Sequence, residues 1–255
     1  MTDIFPSVKD LLEAGAHFGH SIKRWNPKME DYIYAERGGV HIFDLFKTKE
    51  CLERACRYLE EEVAAGKTVL ILGTKGQAVE SIRESGEHLG VPYVATRWVG
   101  GTFTNWDQIK KSIDRLVEMR QKMATGGYDK YTKREKVVLR REMERLERMY
   151  SGLVGLAKVP EILFVIDPNR EITAIKEAKE VGVTVVALAD SNADPDNVDY
   201  IIPANDDALK SVKLVISTVM QSVERGLKKK SEGKKKTESG NGKVEEVKVK
   251  TKKKS

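Results

Sequence analysis

Two short stretches concentrate the residues able to do chemistry. The first is His17-Phe18-Gly19-His20-Ser21-Ile22-Lys23-Arg24-Trp25-Asn26-Pro27-Lys28-Met29; the second is Arg97-Trp98-Val99-Gly100-Gly101-Thr102-Phe103-Thr104-Asn105-Trp106. An exposed tryptophan beside arginine or lysine offers a π-face and a cation together, the pair that RNA backbones and unstacked bases require. The alternative is a pair of loops whose tryptophan rings plug the edge of a core.

A second set of residues is acidic. Asp167 and Asp190 each end an apolar run, and Asn205 and Asp206 open the last helical pattern. In a parallel sheet such positions gather at the carboxyl edge, where ligands bind. Asp190, Asn205 and Asp206, with Asn26 from the first stretch, offer oxygen ligands to a hard cation such as Mg²⁺. If His20 joins them, zinc becomes the alternative. The competing reading is helix capping and loop hydrogen bonding, which Asn and Asp favour.

Gly73-Thr74-Lys75-Gly76-Gln77-Ala78 follows an apolar run and opens a helix, a place where a phosphate can sit. It matches neither a Walker A sequence nor G-x-G-x-x-G. It reads better as a tight strand-to-helix turn with the Thr74 hydroxyl as a cap. No G-x-S-x-G, H-E-x-x-H or recognisable Cys–His pair occurs. His17 and His20 read as loop hydrogen-bonders or ligands, His41 as a strand residue and His88 as a surface residue. The pattern argues against an enzyme.

These residues need a frame. Thr68–Leu72, Val91–Ala95, Ile162–Ile166, Thr184–Ala189 and Tyr200–Ile202 are apolar runs of strand length, as expected for strands buried on both faces. Helical patterns alternate with them: to about Leu89, over Glu171–Val181, and from Asp206 to about Arg225. The alternation predicts a doubly wound, mostly parallel α/β sheet. Upstream lie a leading helix over Asp3–Ala14, short strands at Tyr32–Ala35 and Val40–Phe43, and a helix over Thr48–Ala65.

One segment, at about 105–155, breaks the alternation. Leu139, Met143, Leu146, Tyr150 and Leu153 recur at four-three spacing, a coiled-coil seam. Ile109, Ile113, Leu116 and Met123 keep the register earlier, with Arg120 interrupting it. Gly126-Gly127 breaks the helix, and Thr132 with Glu135 has capping-box spacing for the second start. The segment predicts a protruding antiparallel helical hairpin. Residues 107–150 hold thirteen Lys or Arg and eight Asp or Glu, a net of +5. The hairpin is therefore either a phosphate-facing arm or an ordinary solvated helix pair.

The chain has 255 residues, 40% hydrophobic and 33% charged, and a net charge of +6. The excess lies in residues 226–255, whose twelve Lys and four Glu give +8 and leave −2 for residues 1–225. A single α/β domain over 1–225 is expected, followed by a Lys-rich tail unable to offset its ordering entropy by burial and hence disordered. No run approaches the ~20 apolar residues of a membrane span, and the N-terminus lacks the pattern of a signal peptide. Cys51 and Cys56 suggest neither a disulfide framework nor a metal knuckle, which fits a reducing cytoplasmic setting.

Leu12-Glu13-Ala14-Gly15-Ala16-His17-Phe18-Gly19-His20 with Arg24-Trp25-Asn26-Pro27-Lys28-Met29 resembles the N-terminal signature of the bacterial-type ribosomal protein S-two family, the second protein of the small subunit. Arg97 to Asn105 resembles its second signature, with Val99 and Phe103 where leucine is usual. Phe164–Asp167, Ile175–Ala178, Ala189–Pro195 and Ile202–Ala208 match in order, so the likeness covers about Val8 to Arg225 and not the tail. It implies a flavodoxin-like domain carrying a coiled-coil hairpin. It implies a structural constituent that contacts 16S ribosomal RNA between head and body, beside the large mRNA-binding ribosomal protein one. Lys23, Arg24 and Lys28 are then expected on phosphates, with Trp25 packing the loop or stacking on a base. Arg97, Asn105 and Trp106 are expected at the hairpin base against RNA, with Lys110, Lys111 and Arg115 extending the phosphate path. No cofactor is required, a Mg²⁺ or Zn²⁺ ion aside.

Overall fold

The computed structural model describes residues 5–251, with side chains along the last helix described as far as Glu232. A short helix α1 (Val8–Glu13) starts with a capping box between Ser7 and Asp10. Its expected start at Asp3 lies outside the described residues. A small antiparallel sheet follows, made of β1 (Phe18–Ser21), β2 (Ile33–Arg37) and β3 (Val40–Phe43) in the order β1-β3-β2. Asp44 then caps α2 (Leu45–Ala64) through the backbone N–H groups of Phe46 and Lys47. This starts the helix three residues before the expected Thr48.

The main sheet contains β4 (Val69–Leu72), β5 (Tyr93–Val94), β6 (Ile162–Ile166), β7 (Thr184–Ala189) and β8 (Tyr200–Pro203), all parallel, in the order β5-β4-β6-β7-β8. Relative to chain order this is 2-1-3-4-5, a doubly wound arrangement with its switch point between β4 and β6. The apolar runs are continuous because both faces are covered. Ile71, Phe164, Val186 and Ile202 face a core built with α2, α3 (Gly76–Leu89) and α7 (Leu209–Thr251). Leu70, Leu72, Leu163, Val165 and Val185 face a second core with α4 (Trp106–Ala124), α5 (Lys133–Tyr150) and α6 (Ile172–Val181). Each fully buried Leu, Ile or Val contributes about 1.5–3 kcal/mol.

Helices α4 and α5 pack together over the second core. Ile109, Ile113, Leu116 and Met119 are buried on α4, and Leu146 and Tyr150 on α5, with Leu139 and Met143 partly covered. Met119 is thus buried where Met123 was expected on the seam. The capping box of Thr132 and Glu135 starts α5 as its spacing predicted. Two ion pairs join the helices, Arg115–Glu142 at 2.7 Å and Arg120–Glu147 at 2.9 Å.

Three expectations need correction. Thr74 is not a cap: Lys75 holds the N-cap position of α3 without a side-chain bond, and the Thr74 hydroxyl donates to Glu171 at 2.6 Å. Helix α7 begins at Leu209 rather than Asp206, because Asn205 Oδ1 accepts from the N–H groups of Asp207 and Ala208 and holds them in a preceding turn. The first stretch is not merely a loop, since Phe18–Ser21 is a strand. The Lys-rich tail over 226–255 falls largely outside the described side chains.

Candidate functional site

The first stretch lies across the carboxyl edge of the main sheet. The His20 N–H donates to Asp190 Oδ1 at 3.0 Å and to Ser191 Oγ at 2.8 Å, and the Asn26 N–H to the Ser191 carbonyl at 2.8 Å. The Asn205 N–H donates to the Ala16 carbonyl at 3.0 Å, and its Nδ2 to that of Gly15 at 3.1 Å. Gly19 permits the approach, because a Cβ there would sit 2.9 Å from Ser191 Oγ. The ends of β7 and β8 therefore hold the stretch in place.

Lys23 and Arg24 are exposed on a 3₁₀ turn (Ile22–Arg24). Trp25 is half-buried and packs on His41, with ring centroids 4.6 Å apart. Lys28, expected on phosphate, has its ammonium against Asp194 at 3.1 Å and Asp196 at 2.6 Å. Those two carboxylates already supply the negative charge that a phosphate would bring.

The second stretch is organised by one buried carboxylate from α6. Glu177 accepts from Trp98 Nε1 at 3.1 Å and from the N–H groups of Gly101 at 2.8 Å and Phe103 at 3.0 Å. Trp98 is thereby buried and meets Phe103 edge-on, which is the core-plugging role. Arg97 and Asn105 remain exposed and Trp106 is half-buried. On α4, Lys111 is exposed and unpaired among the described residues, Lys110 pairs with Asp114 at 3.0 Å, and Arg115 is spent on Glu142. Arg115 links the two helices, a use that its position in the sequence does not reveal.

Behind the first stretch lies a cluster of His20, Asp190, Asp206 and Asp207, with one donor atom from each within 4.8 Å of the others. His20 Nδ1 is 3.0 Å from Asp190 Oδ1 but not aligned for a hydrogen bond. Its contact with the Asp190 carboxylate, working against burial, raises the imidazole above its ordinary value. Burial, then repulsion from Asp190 and Asp167, pushes Asp206 up to about 7. Asp206 Oδ2 is buried without a partner. Lys75 reaches in from the β4–α3 turn, 2.7 Å from Asp206 and 2.6 Å from Asp207. Its hydrogen bond holds Asp207 below the usual carboxylate range.

Asp190 and Asp206, expected as ligands, are thus brought together with His20. Asn26 and Asn205 have their side-chain oxygens engaged in turns. Asn26 Oδ1 accepts from the Lys28 N–H at 3.1 Å, and Asn205 Oδ1 is used by Asp207 and Ala208. Both act as turn caps. Asp207 is the member that sequence reasoning missed, and its adjacency to Asp206 was the available signal.

The fold and these loops define a doubly wound α/β scaffold that presents exposed cations on two fixed stretches. The family model described as Ribosomal protein S2 matches residues 11–226. A relative from Thermus thermophilus, named small ribosomal subunit protein uS2, is 47% identical over 217 residues, covering 85% of each chain. One of the same name from Koribacter versatilis is 45% identical over 220 residues, covering 86% of this chain and 73% of its own. The chain belongs to the ribosomal protein S2 family, whose members are structural proteins of the small ribosomal subunit and not enzymes. Among the described residues no helix is long and apolar enough to cross a membrane.

Proposed function

We propose that the chain binds 16S ribosomal RNA between the head and body of the small subunit, in the cytoplasm, and supports the docking of ribosomal protein one and thereby translation. The observation that carries this reading is the arrangement of the two stretches. Lys23 and Arg24 on one, and Arg97 on the other, are exposed arginine or lysine side chains without carboxylate partners among the described residues. They stand on stretches fixed by hydrogen bonds to Asp190, Ser191 and Glu177, so little backbone entropy is lost when they meet a phosphate. Trp25 and Trp106, both half-buried, leave ring surface on the same two stretches. In this reading the fold is flavodoxin-like over 1–225, with α4 and α5 as a stiff coiled-coil arm and 226–255 as an appended cationic tail.

Crosslinking in cells with sequencing of the bound RNA tests it. The expected result is 16S fragments attached near Lys23, Arg24 and Arg97, from chain that sediments with small subunits. Chain found only as free protein would overturn the proposal.

The carboxylate cluster fits a divalent cation, and we include one in the reading. An imidazole and three carboxylates with one unpartnered buried oxygen are a nitrogen–oxygen set suited to Zn²⁺ more than to Mg²⁺. His20, Asp190, Asp206 and Asp207 would hold it, and Lys75 would yield its place on Asp206. The ion would tie the first stretch to the ends of β7 and β8. Elemental analysis should find one zinc per chain, lost in Asp206→Asn, with the thermal midpoint raised by added Zn²⁺. A metal-free wild type that does not respond to Zn²⁺ rules the ion out.

A further inference from the structure

The net charge of +5 over residues 107–150 made the hairpin a candidate phosphate-facing arm without saying which of its faces would serve, and helix α5 carries one that could. Arg134, Arg141, Arg145 and Arg148 are all exposed and without a carboxylate partner among the described residues. At 3.6 residues per turn they fall within an arc of about 60° and span about 21 Å of helix. The face lies opposite the side occupied by Leu139, Met143, Leu146 and Tyr150, which packs on the second core. The neighbouring acids are engaged elsewhere. Glu135 accepts from Thr132 in the capping box, Glu142 pairs with Arg115 and Glu147 with Arg120. Glu144 is the one acid of α5 without a partner among the described residues, and it lies about 70° round from the middle of the arginine row.

The row does not end with the helix. Arg148 and Arg83 of α3 line one cleft of about 890 Å³, between α3 and the base of the hairpin. Arg83 is exposed and makes no ion pair among the described residues; the nearby Glu87 accepts from the Tyr93 hydroxyl at 2.9 Å. Two other cations of the cleft, Arg120 and Lys158, are held by Glu147 and Glu161. The free guanidinium groups thus run from the tip of the arm onto the body.

We propose that this row, Arg134–Arg141–Arg145–Arg148 continued by Arg83, is the face of the arm that tracks the phosphodiester backbone of folded RNA, in place of the α4 side chains Lys110, Lys111 and Arg115. Guanidinium groups bind phosphate oxygens in a bidentate fork, and a rigid row of them suits a partner read by backbone shape. On α4, by contrast, Lys110 and Arg115 are already paired, which leaves Lys111 as the single unpaired cation of that trio among the described residues. The inference rests on the reading that the chain sits on ribosomal RNA.

The test is rebinding of the full chain to small subunits depleted of it, across 50–200 mM salt at fixed Mg²⁺ (about the range over which phosphate contacts are lost). Replacing all four α5 arginines with Gln should weaken rebinding by more than ~10-fold. It should also lower the slope of log K against log salt by about 3 to 4. The double variants R134Q/R141Q and R145Q/R148Q should each remove about half of that slope, and remain informative if the quadruple variant is unstable. The quadruple Lys variant should keep most of the slope, and K110Q/K111Q should leave it unchanged. Wild-type affinity and slope in the Gln variants, together with loss in K23Q/R24Q, would overturn the row and spare the RNA reading. Crosslinks from the row only to neighbouring proteins would overturn it too. Wild-type chain that does not rebind at all would overturn both.

Discussion

Removing the Glu177 carboxylate should cost a large part of this fold's stability. Three N–H donors lie within 3.1 Å of it: Trp98 Nε1 and the backbones of Gly101 and Phe103. Trp98 and Phe103 are buried, so in Glu177→Ala their donors lose their acceptor where water has little access. Each buried unsatisfied donor costs about 1–3 kcal/mol, and partial entry of water lowers the sum to about 3–6 kcal/mol. Against the ~5–15 kcal/mol of a typical domain, that is a substantial fraction. Glu177→Gln keeps one acceptor oxygen for Trp98 and Gly101 but turns an amide donor toward the Phe103 N–H, so a loss of about 1–3 kcal/mol is expected. Urea unfolding followed by circular dichroism measures both. Rebinding to depleted subunits should fall further than stability alone requires, because Arg97 and Asn105 stand on the loop that Glu177 shapes. An alanine variant within about 0.5 kcal/mol of wild type would refute the account of the loop, as would a Gln variant as unstable as the Ala one.

Thr132→Ala removes the capping box at the start of α5 and should cost about 0.5–2 kcal/mol in urea unfolding. Gly19→Ala places a methyl 2.9 Å from Ser191 Oγ and 3.2 Å from the His41 carbonyl, and should cost about 1–3 kcal/mol by thermal unfolding. Cys56 is fully buried, and burial pushes its thiol up to about 11, so native protein at pH 8 should leave it unmodified by a thiol reagent that labels the unfolded chain. The raised value means that the folded state keeps its proton longer. Its contribution to stability is therefore complete below the ordinary value of 9.0 and disappears as pH rises through about 11.

What was legible in the sequence was periodic or local. Ile162–Ile166 and Thr184–Ala189 announce buried strands because no polar residue interrupts them, and Thr132 with Glu135 announces a helix start because the capping box is a local bond. What was not legible depends on distant partners. Phe18–Ser21 reads as a loop because its Gly and His lack strand propensity, and only pairing with Val40–Phe43 makes it a strand. Glu177 looks like one more charged residue of an amphipathic helix until the loop 74–79 residues earlier in the chain folds over it. Lys28 looks free until Asp194 and Asp196 close on it from 166 and 168 residues away. Composition shows how many charges a chain carries, and tertiary structure decides which of them remain available.

That distinction bears on how a body with a formal charge of −2 over residues 1–225 can face a polyanion. Many of its acids are committed internally. Asp10 and Asp44 cap helices, Glu177 holds a loop, Glu142 and Glu147 join the hairpin, and Asp206 and Asp207 enclose Lys75. Each of these carboxylates directs its charge toward an N–H group or a cation close by. The acids of α2 lie on the opposite face of the sheet from α4 and α5. Layers pack about 10 Å apart, so those acids are separated from the hairpin by more than the ~8 Å Debye length of physiological salt. An approaching phosphate therefore responds to the local surface and not to the sum. On α5 that surface is an arginine row, and on the two stretches it is Lys23, Arg24 and Arg97.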